Sequence, residues 1–382
     1  MTAELARQAA QAGRLAIDTE FMSERRYQAM LCLAQLAIAD GDAPDGVRTE
    51  ILDPIEDELD PAPLAAALAD PEIEVIVHAG RQDIAILKRT WDTEIHNVFD
   101  TQVAAGFLGY GVQEGYGSLV RKVLGVEPAG GEAFTHWDRR PLTARQLEYA
   151  RADAAHLLAL GAALESKLAE AGRLEWAREE SRALESSSDE RDPASLFARL
   201  PKVSRLRKRD RAVAMELVHW REQTAARLDR SVPSILPDHV LIDLARRRPE
   251  TRDALEQARG LPVATRERRS RELLDAIARG AERDPPPAPP EPPRTAPEDA
   301  PLVALAQALV RHASLQSGVG VELIATQAEL VRAVEAARRG QEAPVRVLEG
   351  WRRDLVGAEL LELLEGRRTL RVGPGGLEVS GG

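Results

Sequence analysis

Residues 14–26 read RLAIDTEFMSERR, and this stretch decides the fold of the first half of the chain. The apolar residues 15–17 are typical of a buried strand, which runs out in Asp18, Thr19 and Glu20. Residues i and i+2 of a strand point to the same face, so we expect Asp18 and Glu20 to lie side by side. Carboxylates avoid apolar surroundings unless a positive charge lies near them. The pair therefore indicates a solvated strand end, a buried ion pair or a site for Mg²⁺ or Mn²⁺.

Strand-like and helix-like segments alternate after this first strand. The segments typical of strands are 31–39, 47–52, 73–79 and 95–100, and those typical of helices are 62–70 and 82–91. Three strands come first and strand–helix alternation follows. This order predicts a mixed sheet covered by helices, which is an α/β architecture.

The remainder of the chain has a predominantly helical pattern. Helical periodicity covers residues 143–188, 193–280 and 302–372, and Thr143 is the expected N-cap of the first block. Proline and charge dominate residues 282–301, which predicts an extended linker without a packed core. The final ten residues, GPGGLEVSGG, are expected to fray.

Composition limits the class of protein. A chain of 382 residues with 44% hydrophobic and 30% charged residues predicts two or three soluble domains. Cys32 is the only cysteine, which excludes a disulfide framework and a cysteine zinc site and favours the cytoplasm. The N-terminus has no apolar segment typical of a signal peptide. The longest apolar run, residues 31–39, is too short to span a bilayer.

Charge is distributed unevenly along the chain. The net charge is −11, yet residues 191–280 carry 21 Lys and Arg against 13 Asp and Glu. A basic segment between acidic flanks suggests contacts with phosphate groups, although solvated helix faces would give the same composition.

Three further acidic or aromatic residues could act with Asp18 and Glu20. Asp83 follows a buried strand and a glycine, and is expected in the first turn of a helix, where it would also compensate the helix dipole. Tyr149 and Asp153 are spaced i, i+4 and are therefore expected on one helix face.

The order of these motifs resembles that of the DEDD exonuclease superfamily, and the similarity is strongest to the tyrosine subgroup's bacterial ribonuclease D family. The matching blocks are IDTEFMSER, LCLAQLA, HAGRQDIAIL, VFDTQVAAGFLG and RRPLTARQLEYARADAAHLLAL. Residues 196–251 resemble an HRDC domain, a helical nucleic-acid-binding module, and residues 347–366 resemble a second, divergent copy. The resemblance implies a ribonuclease H-like α/β exonuclease domain at 1–185 and two all-α HRDC-like domains at 191–281 and 301–375, joined by a proline-rich linker at 282–300.

The resemblance also implies a mechanism with two divalent cations, Mg²⁺ or Mn²⁺. Asp18 would bridge both ions, Glu20 and Asp153 would hold the ion that activates water, and Asp83 would support the other. Tyr149 would orient the attacking water, since an unperturbed tyrosine has a pKa of about 10 and stays protonated at neutral pH. The expected substrate is RNA with a free 3′-hydroxyl, with transfer-RNA precursors as the natural target, and the expected state is a cytoplasmic monomer.

Two alternatives remain open from the sequence. A 3′→5′ exonuclease that acts on DNA would use the same catalytic residues. A nucleic-acid-binding scaffold would need no catalysis, although it would have no use for metal-binding carboxylates. A nucleotide-dependent enzyme has no support, because the chain contains no phosphate-binding loop motif and the glycines of residues 109–118 have the wrong spacing for a dinucleotide.

Overall fold

Five strands form one mixed sheet in the N-terminal part of the chain. A computed structural model describes residues 1–43, 46–128, 136–289 and 295–381. The strands are β1 (Arg14–Met22), β2 (Met30–Ala39), β3 (Val47–Leu52), β4 (Glu74–Val77) and β5 (Val98–Asp100). Their spatial order is β3-β2-β1-β4-β5, antiparallel from β3 to β1 and parallel from β1 to β5. The predicted mixed sheet is confirmed.

Helices cover both faces of this sheet. They are α1 (Thr2–Ala12), α2 (Ala62–Leu68), α3 (Arg81–Trp91), α4 (Thr101–Phe107), α5 (Tyr116–Leu124), α6 (Ala144–Ala155), α7 (Leu157–Glu170) and α8 (Leu174–Arg182). On one face, Ile17 packs in a core with Leu5 of α1 and Ile84 of α3. On the other face, Ala16 packs in a core with Leu160 of α7. Alternate residues of β1 thus enter two different cores, as the period of a strand requires.

The predicted helical block 143–188 is divided into three helices. Thr143 is the N-cap of α6, as predicted, and forms a capping box with Gln146. Gly172 has a φ of 66° and separates α7 from α8. This left-handed conformation costs a glycine little, so the helix ends there although the apolar periodicity continues.

A second helical unit has its own core. Its helices are α9 (Pro193–Ala198), α10 (Lys208–Leu228), α11 (Val232–Ile235), α12 (Asp238–Arg247), α13 (Arg252–Glu256) and α14 (Val263–Glu282). The unit touches the five-stranded sheet at the loop that follows β1. Tyr27 packs against its core with the Arg191 guanidinium 5.3 Å from the ring centroid, and Arg26 forms a 2.8 Å ion pair with Asp229.

The C-terminal block packs directly on the α/β layer. Its helices are α15 (Ala300–Ser317), α16 (Val321–Ile324), α17 (Gln327–Arg338), α18 (Gly350–Arg352) and α19 (Ala358–Leu364), with a π-helical turn at Arg353–Gly357. Trp351 stacks on Trp176 of α8 at a centroid distance of 5.3 Å and meets Phe107 of α4 edge-on at 5.0 Å. The Gly320 N–H donates to the Gly106 carbonyl at 2.9 Å. The block and the α/β domain therefore share one hydrophobic core.

The last segment corrects the prediction that the C-terminal block is all-α and ends in a fraying tail. Strands β6 (Arg368–Gly373) and β7 (Gly376–Gly381) form an antiparallel hairpin. Leu370 pairs with Val379, and both pack against the C-terminal core. Gly376 has a φ of 115°, which glycine tolerates in the connecting turn. The predicted helical pattern up to residue 372 and the predicted fraying of GPGGLEVSGG are therefore wrong, because two short strands pair across a glycine-rich turn.

The structure describes only part of the predicted proline-rich linker. Residues 290–294 of it lie outside the described residues, and residues 284–289 have no regular secondary structure. Within the described ranges, no helix combines the length and apolar character needed to cross a bilayer.

Candidate active site

Three carboxylates predicted from two separate motifs meet beside strand β1. This strand continues to Met22 rather than running out at Asp18 as predicted, because Phe21 and Met22 still pair with β2. One oxygen each from Asp18, Glu20 and Asp153 can be chosen so that all three lie within 4.8 Å of one another. Asp18 and Glu20 come from β1, and Asp153 comes from helix α6, which packs against β1 and β2. Three oxygen ligands converging at this distance suit a hard divalent cation.

Asp83 lines the same cavity but is not one of these three converging groups. It is buried in the first turn of α3, as predicted, and accepts a hydrogen bond from the Thr19 hydroxyl. The preceding turn is fixed by the Asp100 carboxylate, which accepts from the backbone N–H groups of Ala79 and Gly80 at 3.1 and 2.9 Å. The turn thus sets the start of α3 and the position of Asp83.

Gly80 is required in this turn for space. Its φ is −74°, an ordinary value, whereas Ala79 takes the left-handed φ of 53°. A Cβ atom at position 80 would lie 2.5 Å from the Val77 side chain. The close approach of the helix start to strand β4 therefore excludes a larger residue.

Tyr149 lies on the same face of α6 as Asp153, as the i, i+4 spacing predicts. The Tyr149 hydroxyl donates a hydrogen bond to the Asp153 carboxylate, and both side chains line the cavity. Trp137 stacks on the Tyr149 ring at a centroid distance of 6.1 Å. Burial and the neighbouring carboxylates raise the pKa of Tyr149 above its usual value, so the hydroxyl remains protonated at neutral pH.

The acidic cluster carries uncompensated negative charge. Burial raises the pKa of Glu20 to about 8, and Asp153 and Asp83 add to the shift. Burial also raises the pKa values of Asp83 and Asp153 to about 6 each, against the hydrogen bonds that each accepts. The pKa of Asp18 lies well above its usual range because it is buried and close to the other three carboxyls. Such a cluster favours either protons or cations.

The rest of the cavity lining includes aromatic residues and one cation. The cavity has a volume of about 610 Å³, and its lining includes Phe21, His78, Tyr116 and Arg121. The rings of His78 and Tyr116 meet edge-on at 5.7 Å, and the Tyr116 hydroxyl donates to the Ala152 carbonyl at 3.2 Å. Arg121 is the single Lys or Arg among the described lining residues, and it pairs with the exposed Glu127 at 2.9 Å.

The sequence did not predict that Tyr116 and Arg121 line this cavity. Tyr116 lies in the stretch EGYGS, whose glycine spacing excludes a dinucleotide-binding loop but does not exclude another ligand contact. The available signal was an aromatic residue between glycines at the start of a helix, which leaves the ring accessible to a ligand. Arg121 follows five residues later in the same helix, α5.

Comparison with known proteins defines the class of this chain. The family model described as a 3′-5′ exonuclease matches residues 1–169, and the HRDC domain model matches residues 210–277. The N-terminal domain is therefore of the 3′-5′ exonuclease class, and an HRDC domain follows it.

Full-length relatives then give the family. Ribonuclease D of Nitrobacter hamburgensis is 36% identical over 98% of this chain and 96% of the relative, and that of Granulibacter bethesdensis is 36% identical over 93% and 88%. The crystal structure of Escherichia coli RNase D, described as an exoribonuclease involved in structured RNA processing, matches with a TM-score of 0.82 and 27% identity over 96% of both chains. This chain belongs to the ribonuclease D family.

Proposed function

We propose that this chain hydrolyses the terminal phosphodiester of RNA from a free 3′-hydroxyl end and releases nucleoside 5′-monophosphates. Membership of the ribonuclease D family makes it a 3′→5′ exoribonuclease. The observation that carries the site assignment is the convergence of Asp18, Glu20 and Asp153 within 4.8 Å. The two metal ions, their ligands and the natural substrate are the proposed part.

The donor set fits divalent cations. Carboxylate oxygens are the ligands that Mg²⁺ and Mn²⁺ prefer. Asp18, Glu20 and Asp153 would hold one cation, and Asp18 with Asp83 would hold a second. When bound, such cations lower the pKa of a coordinated water and neutralise charge at the leaving 3′-oxygen. The raised pKa values of these carboxyls support the assignment, since no ion pair among the described residues offsets their charge.

The protein's own groups would place the water and the RNA end. Tyr149 stays protonated and holds its hydrogen bond to Asp153, so it is placed to orient a water beside that carboxylate. The Tyr116 and His78 rings offer an apolar surface for the terminal base. Arg121 would exchange its exposed partner Glu127 for a backbone phosphate of the RNA.

The helical unit after the exonuclease domain would hold the RNA upstream of the cleavage site. Its segment 202–209 is basic and exposed, and the basic residues there are Lys202, Arg205, Arg207, Lys208 and Arg209. None of these five side chains forms an ion pair with the part of the chain that the structure describes. Free cations on an exposed segment suit sequence-independent contacts with phosphates.

We further propose the domain boundaries 1–185, 191–281 and 301–375, with the linker 282–300 between the last two. The separate core of residues 197–277 supports the HRDC domain. The second HRDC-like domain remains a prediction, because the C-terminal block ends in a hairpin and shares its core with the exonuclease domain. The monomeric state, the cytoplasmic location and 3′ maturation of transfer-RNA precursors also remain predictions.

One assay tests the activity and its metal dependence together. The substrates are 5′-labelled RNA and matched DNA with free 3′-hydroxyls, incubated with Mg²⁺ or Mn²⁺, with and without EDTA. The expected result is a ladder that shortens from the RNA 3′ end, disappears with EDTA and is absent for Asp18→Asn. Degradation of DNA alone would instead support a DNA exonuclease, and binding without cleavage of either strand would support a scaffold.

A further inference from the structure

Gln35 is a buried amide without partners in the middle of strand β2. Its exposed fraction is 0%, and neither Oε1 nor Nε2 has a hydrogen-bond partner among the described residues. A carboxamide has two N–H donors and an acceptor, and leaving them unmet in a core costs free energy. An unpaired polar group at such a place in a core calls for a specific physical reason.

The sheet register identifies the residues that lie beside Gln35 on neighbouring strands. Gln35 is the Cα partner of Asp18 on β1 and of Ile51 on β3. Directly paired residues of antiparallel strands point to the same face. Leu33 and Ala37 are the next positions on that face of β2. Asp18 lies directly opposite Gln35, whereas two other polar residues on this face, Glu20 opposite Leu33 and Thr49 opposite Ala37, are diagonal to it.

The Asp18 carboxylate also has few hydrogen-bond donors around it. It receives a hydrogen bond from the Thr19 backbone, and no side chain of the described residues donates to it. An ionised carboxylate has about four lone-pair sites, so Asp18 could bind two cations and still accept a hydrogen bond. Metal-ligating groups are commonly oriented by such donors, whose loss weakens metal binding by about 10–100-fold.

We infer that Gln35 is a positioning residue for the metal site: its Nε2 donates to an Asp18 carboxylate oxygen, at a lone pair that no cation takes, and holds Asp18 in its ligating orientation. The inference rests on the proposed function, because it requires a divalent cation at Asp18. It gives the buried amide a use in the metal-bound protein that it lacks in the metal-free one. Gln35 would touch neither the cation nor the RNA.

The test is Mn²⁺ binding to the full-length protein, measured by calorimetry, together with the thermal midpoint of the metal-free protein. The variants are Gln35→Met, which keeps the side-chain volume, and Gln35→Leu. The control is Gln8→Met, because Gln8 also has an unpartnered Oε1 but lies on α1, which packs on the opposite face of the sheet. We expect Mn²⁺ affinity to fall about 10-fold in both Gln35 variants and to stay within about twofold of wild type in the control.

The metal-free midpoint separates positioning from packing. A positioning role predicts an unchanged or higher midpoint, because an unmet amide has been removed from a core. An unchanged Mn²⁺ affinity in both Gln35 variants overturns the inference, and so does a clearly lowered metal-free midpoint in both. If wild-type protein binds no Mn²⁺, or Asp18→Asn binds it as tightly as wild type, the metal assignment fails instead.

Discussion

The Thr19 hydroxyl donates a hydrogen bond to the Asp83 carboxylate and so joins strand β1 to helix α3 inside the acidic cluster. Thr19 lies between the two carboxylates of the D-x-E motif and is buried. Burial raises the pKa of Asp83, and the Thr19 hydrogen bond lowers it. Thr19, the residue between the two acidic positions of the motif, therefore helps to keep the Asp83 carboxylate ionised.

Thr19→Val should shift the pH dependence of the reaction. Valine has a similar shape but no donor, so the pKa of Asp83 should rise further and Mg²⁺ should compete less well with protons. We expect the acidic limb of kcat/KM to move up by roughly one pH unit. A pH–rate profile at a fixed, sub-saturating Mg²⁺ concentration measures this shift. Thr19→Ser keeps the hydroxyl and should retain the wild-type profile, and a shift equal to that of valine would argue against the hydrogen bond as the cause.

The metal-free protein should lose stability as pH rises from about 5 to 8. The folded-state pKa is about 8 for Glu20 and about 6 for Asp83 and Asp153, whereas unfolded carboxyls titrate near pH 4. Between these values the folded state binds more protons than the unfolded state, so the free energy of unfolding falls with rising pH. Bound Mg²⁺ should stabilise the protein more at pH 8 than at pH 5, since the carboxylates are then ionised.

Thermal midpoints across this pH range, with EDTA or with Mg²⁺, measure both effects. Glu20→Gln should flatten the metal-free dependence and weaken stabilisation by Mg²⁺. The matched control is Glu58→Gln, at an exposed carboxylate outside the cavity. A metal-free midpoint that rises steadily from pH 5 to pH 8 would contradict the assigned pKa shifts.

Tyr149→Phe should slow the reaction without weakening metal binding. The hydroxyl is protonated at neutral pH and bonded to Asp153, so its loss removes a group that orients water rather than a metal ligand. We expect kcat to fall about 100-fold, while Mn²⁺ affinity remains within about twofold of wild type. Single-turnover cleavage and calorimetry give the two quantities. Tyr110→Phe, at a half-buried tyrosine outside the cavity, is the control, and a parallel loss of Mn²⁺ affinity in Tyr149→Phe would assign this residue to the metal site.

Removal of charge from the segment 202–209 should change how RNA binding responds to salt. Substitution of its five basic residues by glutamine should weaken binding and reduce the slope of log Kd against log salt, by about 0.7 for each phosphate that the protein no longer neutralises. Fluorescence anisotropy at several salt concentrations measures the slope. The double variant Arg332→Gln and Arg339→Gln removes exposed charge from the C-terminal block and should leave the slope unchanged. An unchanged slope in the five-residue variant would mean that other surfaces hold the RNA.

Trp351→Ala should destabilise the exonuclease domain and the C-terminal block together. Trp351 is 3% exposed and packs between Trp176 and Phe107, which belong to the exonuclease domain. We expect a loss of about 3–5 kcal/mol in the free energy of unfolding. Denaturant unfolding followed by far-UV circular dichroism tests this, with Leu315→Ala, at a side chain that is 82% exposed, as the control. A loss below about 1 kcal/mol would indicate that the shared core contributes little.

The sequence alone determined the features that local patterns encode. Buried apolar runs located the five strands, with β1 longer and β4 and β5 shorter than predicted, and the capping sequence at Thr143 located the start of α6. The i, i+2 spacing of Asp18 and Glu20 and the i, i+4 spacing of Tyr149 and Asp153 each fixed a shared face. These relations depend on residues close in the chain, where backbone periodicity decides which side chains are neighbours.

Only the tertiary structure decided the relations that span long stretches of chain. Sheet register put Gln35 opposite Asp18, and helix packing brought Tyr116 and Arg121 to the cavity wall. The docking of Trp351 on Trp176 joined two segments that composition had separated by a proline-rich stretch. Apolar periodicity shows that a face is buried but does not identify its partner. The partner follows from how all the layers fill one core at close-packed density.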